Sequence, residues 1–156
     1  MDFILGVDPG LTGALAILNL KEGWLHNVID MPTQKRGARS DLDLLALAAF
    51  FGNHAHLIKY AVVEDVASAP KQGVVSMFTF GKVTGIVVGM IAAHYIPVYY
   101  VKPSVWKFQM KLTSSKGLSV NKARTLWPDN ADLFTRTKDG RAEAALIAYF
   151  GKRFNV

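Results

Sequence analysis

Apolar and polar positions alternate along this chain in blocks, and the blocks predict its elements. Phe3-Ile4-Leu5-Gly6-Val7 and Ala14-Leu15-Ala16-Ile17-Leu18 are unbroken apolar runs, as expected of strands buried on both faces. Pro9, Gly10 and Gly13 lie between them, so the pair predicts a hairpin over about residues 2–8 and 13–19. Trp24 to Met31 reads as a third strand of an antiparallel meander, ended by Pro32. TQKRGARS, residues 33–40, is polar and basic and predicts a loop. Ser40 as N-cap, with Asp41 and Asp43 in the first turn, predicts a helix to about His56. IKYAVVEDV is a short β-branched run, a buried strand that ends in acid. ASAPKQGV follows as a loop, then a helix over about 74–94 and a buried strand at 97–101. Pro103 suits the first position of another short helix. LTSSKGLS is a loop; further helices are expected over 119–127, stopped by Pro128, and over 138–151. The order, βββαβαβ and then helices, is that of an α/β chain with a mixed sheet, its first three strands antiparallel and its later strands joined by parallel crossovers.

At 156 residues, half of them hydrophobic, the chain is expected to form one domain, residues 1–156. It shows no repeats and no low-complexity segment. Val83 to Val101 carries no charged side chain, but His94, Pro97 and two glycines interrupt it. It is therefore expected as a helix buried on one side, a turn and a strand, with no membrane partner. No secretory signal is evident at the N-terminus, where the first strand starts at once. Cysteine is absent, which excludes disulfides, thiolate metal sites and cysteine nucleophiles and suits a reducing compartment.

Charge is unevenly placed. Residues 1–101 carry 7 Lys/Arg against 8 Asp/Glu, whereas residues 102–156 carry 11 against 4. The second half alone is basic, which favours a polyanionic partner. Lys102, Lys107, Lys111, Lys116 and Lys122 follow the fifth strand, with Trp106 among them. Lys107 and Lys111 are expected one helical turn apart, on a phosphate-tracking surface. Trp106 reads more readily as a core anchor than as a stacking platform. Arg36 and Arg39, with Lys35, suggest a second such contact, and Arg141 is expected either to hold a phosphate or to pair with Glu143.

Against this background a few acids stand where burial is expected. Asp8 ends the first strand and Glu64 the fourth. Asp139 and Glu143 open the last helix four residues apart, on one face, which continues into Ala144, Ile147 and Phe150. Each acid alone has an ordinary reading, as turn residue, strand end or helix-dipole partner. Together they form a set that strand ends and a packed helix could bring to one place. Converging carboxylates raise one another's pKa unless cations neutralise them. Oxygen-only donor sets suit Mg²⁺ or Mn²⁺, and a pair of such ions about 4 Å apart is the arrangement used to hydrolyse phosphodiesters.

GVDPGLTGALAIL, AVVEDV, GKVTGIVVGM and DGRAEAALIAYFG, in that order, resemble the RuvC-type Holliday-junction resolvases of the ribonuclease H-like nuclease superfamily. APKQGVVSMFTFGKVTG and KPSVWK look most like short phage-encoded members. The resemblance spans nearly the whole chain. It implies a ribonuclease H-like fold, a five-stranded mixed sheet flanked by helices, with strands four and five parallel to strand one. It implies that Asp8, Glu64, Asp139 and Glu143 are catalytic acids holding two Mg²⁺ ions, with Mn²⁺ able to substitute and no nucleotide cofactor. It also implies a cytoplasmic homodimer, in a bacterial cell or phage-encoded, that makes paired nicks in four-way or other branched DNA junctions. Gly81, Gly85 and Gly89, four residues apart on the long helix, are read either as packing on the subunit's own sheet or as a two-fold dimer contact, the latter favoured because a symmetric junction needs two active sites.

Two positions depart from the bacterial pattern. There the last two acids are aspartates three residues apart; here the spacing is four and the second is Glu143. Bacterial members also place an aromatic shortly after the strand-four glutamate, where this chain has Val66, Ala67 and Ser68. Phe78 and Phe80 are the nearest substitutes, although core packing is the commoner use of such residues. Two other classes share features of the sequence. Sugar-kinase and actin-type phosphotransferases also open with Asp, Gly and Thr in a hairpin, but need two such domains to enclose ATP. A nucleic-acid-binding or RNA-processing protein on the same fold is the closer alternative.

Overall fold

The structure is a computed structural model that describes residues 1–66, 73–113 and 115–154, the side chain of Lys116 excepted. The expected loop at 67–72, with Ala67 and Ser68, lies outside the described residues, as does Ser114. A five-stranded sheet forms the centre, in the order β3-β2-β1-β6-β7. Its strands are β1 (Phe3–Asp8), β2 (Ala14–Asn19), β3 (Leu25–Asp30), β6 (Ile58–Glu64) and β7 (Val98–Val101). The meander β1-β2-β3 is antiparallel, and β6 and β7 run parallel to β1. The α-helices among the described residues are α1 (Leu44–His54), α2 (Val74–Ala93), α3 (Pro103–Gln109), α4 (Lys116–Leu126) and α5 (Asp139–Gly151).

The sheet has a core on each face, and strand alternation sorts residues between them. Phe3, Leu5 and Val7 of β1, with Ala61 and Val63 of β6, pack among residues of α1 and α2. Ile4 of β1, Ala14, Ala16 and Leu18 of β2, and Tyr60 and Val62 of β6 pack against α5 and residues of α3 and α4. Helix α5 is alanine-rich and buried along most of its length. Gly6 permits its close approach, because a Cβ there would collide with the backbone of Ala144 and Ala148.

Several local expectations are corrected. TQKRGARS is not a loop: it contributes most of a two-stranded hairpin, β4 (Thr33–Arg36) with β5 (Arg39–Leu42), turned at Gly37 with φ 64°. Its strands are polar because only Leu42 is buried. Ser40 is therefore a strand residue, paired with Lys35, and cannot cap α1. Asp43 caps it instead, its carboxylate accepting the Ala46 N–H at 3.0 Å. Asp41 lies on β5 and binds Lys82 of α2 at 2.7 Å, which ties the hairpin to that helix. Helix α4 starts at Lys116 rather than 119.

Helix α2 is long and apolar enough to cross a membrane by length and composition. In this fold one stripe, Val83, Val87 and Ile91, is buried on the sheet. Gly81, Gly85 and Gly89 precede these by two residues each, about 200° around the helix. They are exposed, and a Cβ on any of them would meet nothing within 4 Å. The reading in which they pack on the subunit's own sheet is thereby corrected.

Candidate active site

Register brings the strand-end acids together. Val7 of β1 pairs with Val63 of β6, so Asp8 and Glu64 follow one residue further on adjacent parallel strands. Both have the alternation of Ile4 and Val62 and therefore face α5. That helix begins at Asp139, and its first turns pass over the two strand ends. Gly140 makes this approach possible: a Cβ there would stand 2.7 Å from the Thr12 carbonyl oxygen and 3.0 Å from Asp8 Oδ2.

Asp8, Glu64 and Glu143 each offer a carboxylate oxygen within 4.8 Å of the others. Asp139, on the same end of α5, stands outside this group of three. It still acts on Asp8 electrostatically, as do the other two acids. Burial raises the Asp8 carboxyl well above its ordinary pKa, and repulsion from Glu143, Glu64 and Asp139 raises it further, opposed by Lys107. Burial raises Glu64 too, with the Trp106 hydrogen bond and Lys107 pulling down and Glu143 pushing up.

Three neighbours orient these acids. The Trp106 indole Nε1–H donates to Glu64 Oε1 at 2.8 Å, and the ring is fully buried. Lys107 Nζ stands 2.9 Å from Glu143 Oε1, and the buried Ser119 hydroxyl donates to the same oxygen at 3.3 Å. Sequence reasoning took Trp106 as a core anchor, and it is one, but its N–H also serves the acid cluster. The roles of Gly140 and Ser119 were not foreseen.

The predicted basic residues divide between the site and the surface. Lys107 points into the acid cluster. It is not one turn from Lys111, because α3 ends at Gln109 and Lys111 adopts a left-handed backbone with φ 57°. Arg141 pairs with Asp30 of β3, at 2.7 and 3.0 Å, and not with Glu143. Lys102 and Lys111 are exposed and Lys122 is half-exposed. On the hairpin, Arg36 and Arg39 are exposed, Arg36 lying 3.5 Å from Asp41. Phe78 is 73% exposed, against the expectation of core packing, while the Phe80 ring lies against Gly10.

No family model matches the chain, and no curated protein matches it. Among solved structures its fold is that of RuvC Holliday junction resolvases. Thermus thermophilus RuvC in complex with a Holliday junction substrate superposes with TM-score 0.66 at 15% identity, covering 99% of this chain and 97% of that one. A second Thermus thermophilus RuvC structure gives TM-score 0.62 at 17% identity, covering 97% and 95%.

Proposed function

We propose that this chain is a divalent-metal-dependent endonuclease that resolves four-way or other branched DNA junctions by paired nicks. The observation that carries the reading is the convergence of Asp8, Glu64 and Glu143 to within 4.8 Å at the end of the sheet, on a fold shared with RuvC bound to a Holliday junction. The donor set fits a hard cation: it is all carboxylate and crowded, with Asp8 raised by burial and by its neighbours' repulsion, and Lys107 beside Glu143. Asp8, Glu64 and Glu143, with Asp139 beside them, would hold Mg²⁺ or Mn²⁺, two ions in this reading. Bound there, the metal would activate a water and stabilise the leaving oxygen.

The chain's own groups supply the rest. Trp106 fixes the orientation of Glu64. Lys107, whose ammonium lies 2.9 Å from Glu143 Oε1, is read as a contact to the scissile phosphate. Lys102, Lys111, Lys116, Lys122, Arg36 and Arg39 are read as phosphate contacts. Arg141 has the lesser claim, since it is committed to Asp30. The exposed glycine face of α2 is read as the homodimer contact, which would give a four-way junction two active sites. A cytoplasmic location and the short phage-encoded type belong to the same reading. Cleavage of a mobile four-way junction in Mg²⁺, with linear duplex and structured RNA as controls, tests it. Selective paired nicking of the junction is expected. Equal or exclusive action on RNA, or tight junction binding without cleavage in either metal, would replace the reading with that of a nucleic-acid-binding or RNA-processing protein.

A further inference from the structure

Beside the acid cluster lies a hollow of about 310 Å³, lined by Pro103, Ser104, Lys107, Phe108, Leu112 and Thr113. We propose that it is a subsite for an unpaired nucleobase of branched DNA. The proposal rests on the nuclease reading above and names a contact that the reading does not require.

Lys107 joins the two places. It lines the hollow, while its ammonium stands 2.9 Å from Glu143 Oε1. A nucleotide whose phosphate lies at the acids therefore has this hollow within reach of its base. Phe108 forms an apolar wall and is 82% exposed. A phenyl ring left in water forgoes burial, and its face can receive a base. Its surroundings select the partner. Residues 102–127 carry six Lys/Arg and no acid, and Lys102 and Lys111 stand exposed at the two ends of α3. Lys107 in the lining, with Lys102 and Lys111 at the ends of the same helix, suits an anionic ligand with a flat apolar body, which describes a nucleotide. Phe78, similarly exposed, instead shares the apolar start of α2 with Val74 and Val75.

The chemistry also states which bases would bind. Every base has a π-face, so stacking on Phe108 is tolerant of sequence. A base inside a duplex must first leave its stack, whereas one at a branch point is already partly free. The hollow thus favours branched over linear DNA. The Ser104 and Thr113 hydroxyls can donate to or accept from a base edge.

The test measures binding in chelator, so that no strand is cut, to a four-way junction and to the same junction lacking the bases at the branch point. Phe108→Ala should weaken binding to the intact junction about tenfold, and Phe108→Tyr should restore it. On the base-free junction the wild type and Phe108→Ala should bind alike. The exposed position leaves the melting temperature unchanged. Equal binding of both proteins to the intact junction would overturn the subsite, as would the same loss on both junctions. Conversion of a DNA-free dimer to monomer by Phe108→Ala, seen in sedimentation, would also overturn it, because the ring would then be a protein contact. In those cases junction cleavage by the wild type leaves the nuclease reading standing. A wild type that binds linear duplex as tightly as the junction would instead sink both.

Discussion

Two groups of carboxylates stand at the same end of the sheet, on the same face, and α5 meets both. Ala14 of β2 pairs with Asp8 on one side and with Asp30 on the other, so the two acids occupy one row, two strands apart. Asp30 is held by Arg141 at 2.7 and 3.0 Å and by Lys138 at 2.6 Å. The hydrogen bond from Arg141, then that from Lys138, lowers its pKa in spite of some desolvation. Asp8 lies among Glu64, Glu143 and Asp139, and its pKa is raised. The first group has one acid and two cations and is electrically complete. The second sets carboxylate oxygens of Asp8, Glu64 and Glu143 within 4.8 Å of one another, with the Lys107 ammonium 2.9 Å from Glu143 Oε1. The balance of partners, not the position in the fold, separates the Asp30 carboxylate, which fastens a helix, from that of Asp8, which belongs to a group that could hold a metal ion. Helix α5 and the residue before it make the division: Lys138 and Arg141 reach Asp30, while Asp139 and Glu143 attend Asp8.

The largest expected effect breaks this contrast at its centre. Asp8→Asn should lower metal-dependent junction cleavage about a thousandfold or more, with junction binding in chelator preserved because the cations that hold phosphates are untouched. Asp30→Asn should leave cleavage within about tenfold of the wild type, since it loosens only an ion pair at the margin of the site. Gel assays of cleavage and binding on one junction decide both. Comparable losses in the two variants would mean that the Asp30 group is part of the chemistry, and the distinction drawn here would fall.

How much of this was legible before the structure depends on the range of the contact. Asp8 and Glu64 stand out because each ends an apolar strand, and strand periodicity carries that information within a few residues. Asp139 and Glu143 share a face by helical spacing alone. Trp106 and Glu64 are 42 positions apart, and no local pattern distinguishes an indole N–H aimed at a carboxylate from one merely packed. Lys107 read as one of a row of surface lysines for the same reason. The end of α3 at Gln109 takes Lys111 off the face that carries Lys107. Gly140 could have been noticed: a glycine between Asp139 and Arg141 in the first turn of a helix invites the question of what approaches it. The hairpin was missed because its strands have no apolar alternation, and the Gly37-Ala38 turn was its only cue.

A smaller effect sharpens the comparison by testing how the acid group is held. Asp30 is oriented by cations, whereas Glu64 receives a neutral N–H from Trp106. Trp106→Phe keeps an aromatic ring in the core and removes that donor. Affinity for Mg²⁺ or Mn²⁺, measured by calorimetry, should fall about 10- to 100-fold, the usual effect of losing a partner that orients a metal ligand. A role in packing alone would lower the melting temperature and leave the metal affinity unchanged.

The smallest effect appears in the metal-free protein, as the response of stability to pH. Asp8 and Glu64 have raised pKa values in the folded state. They bind protons more tightly folded than unfolded, so their contribution is fully present below the unfolded carboxylate pKa of about 4 and is lost as pH rises through the folded value. Asp30, with its lowered pKa, runs the other way: its contribution is present above about pH 4 and is lost as pH falls through its folded value. At neutral pH, in chelator, Asp8→Asn should therefore melt above the wild type, because it removes the cost of desolvating a carboxylate and the repulsion from Glu143, Glu64 and Asp139, at the expense of the weaker attraction to Lys107. Asp30→Asn should melt below the wild type, by no more than about 1 kcal/mol given the exposure of the pair. Both differences should narrow as the solution is acidified, since the aspartates become neutral like their asparagine replacements. Added Mg²⁺ should raise the melting temperature of the wild type and of Asp30→Asn, and much less that of Asp8→Asn. Differential scanning calorimetry of the three proteins across this range gives the signs directly. If Asp8→Asn melted at or below the wild type at neutral pH without metal, the Asp8 group would be as well balanced as the Asp30 group, and the contrast between them would fall.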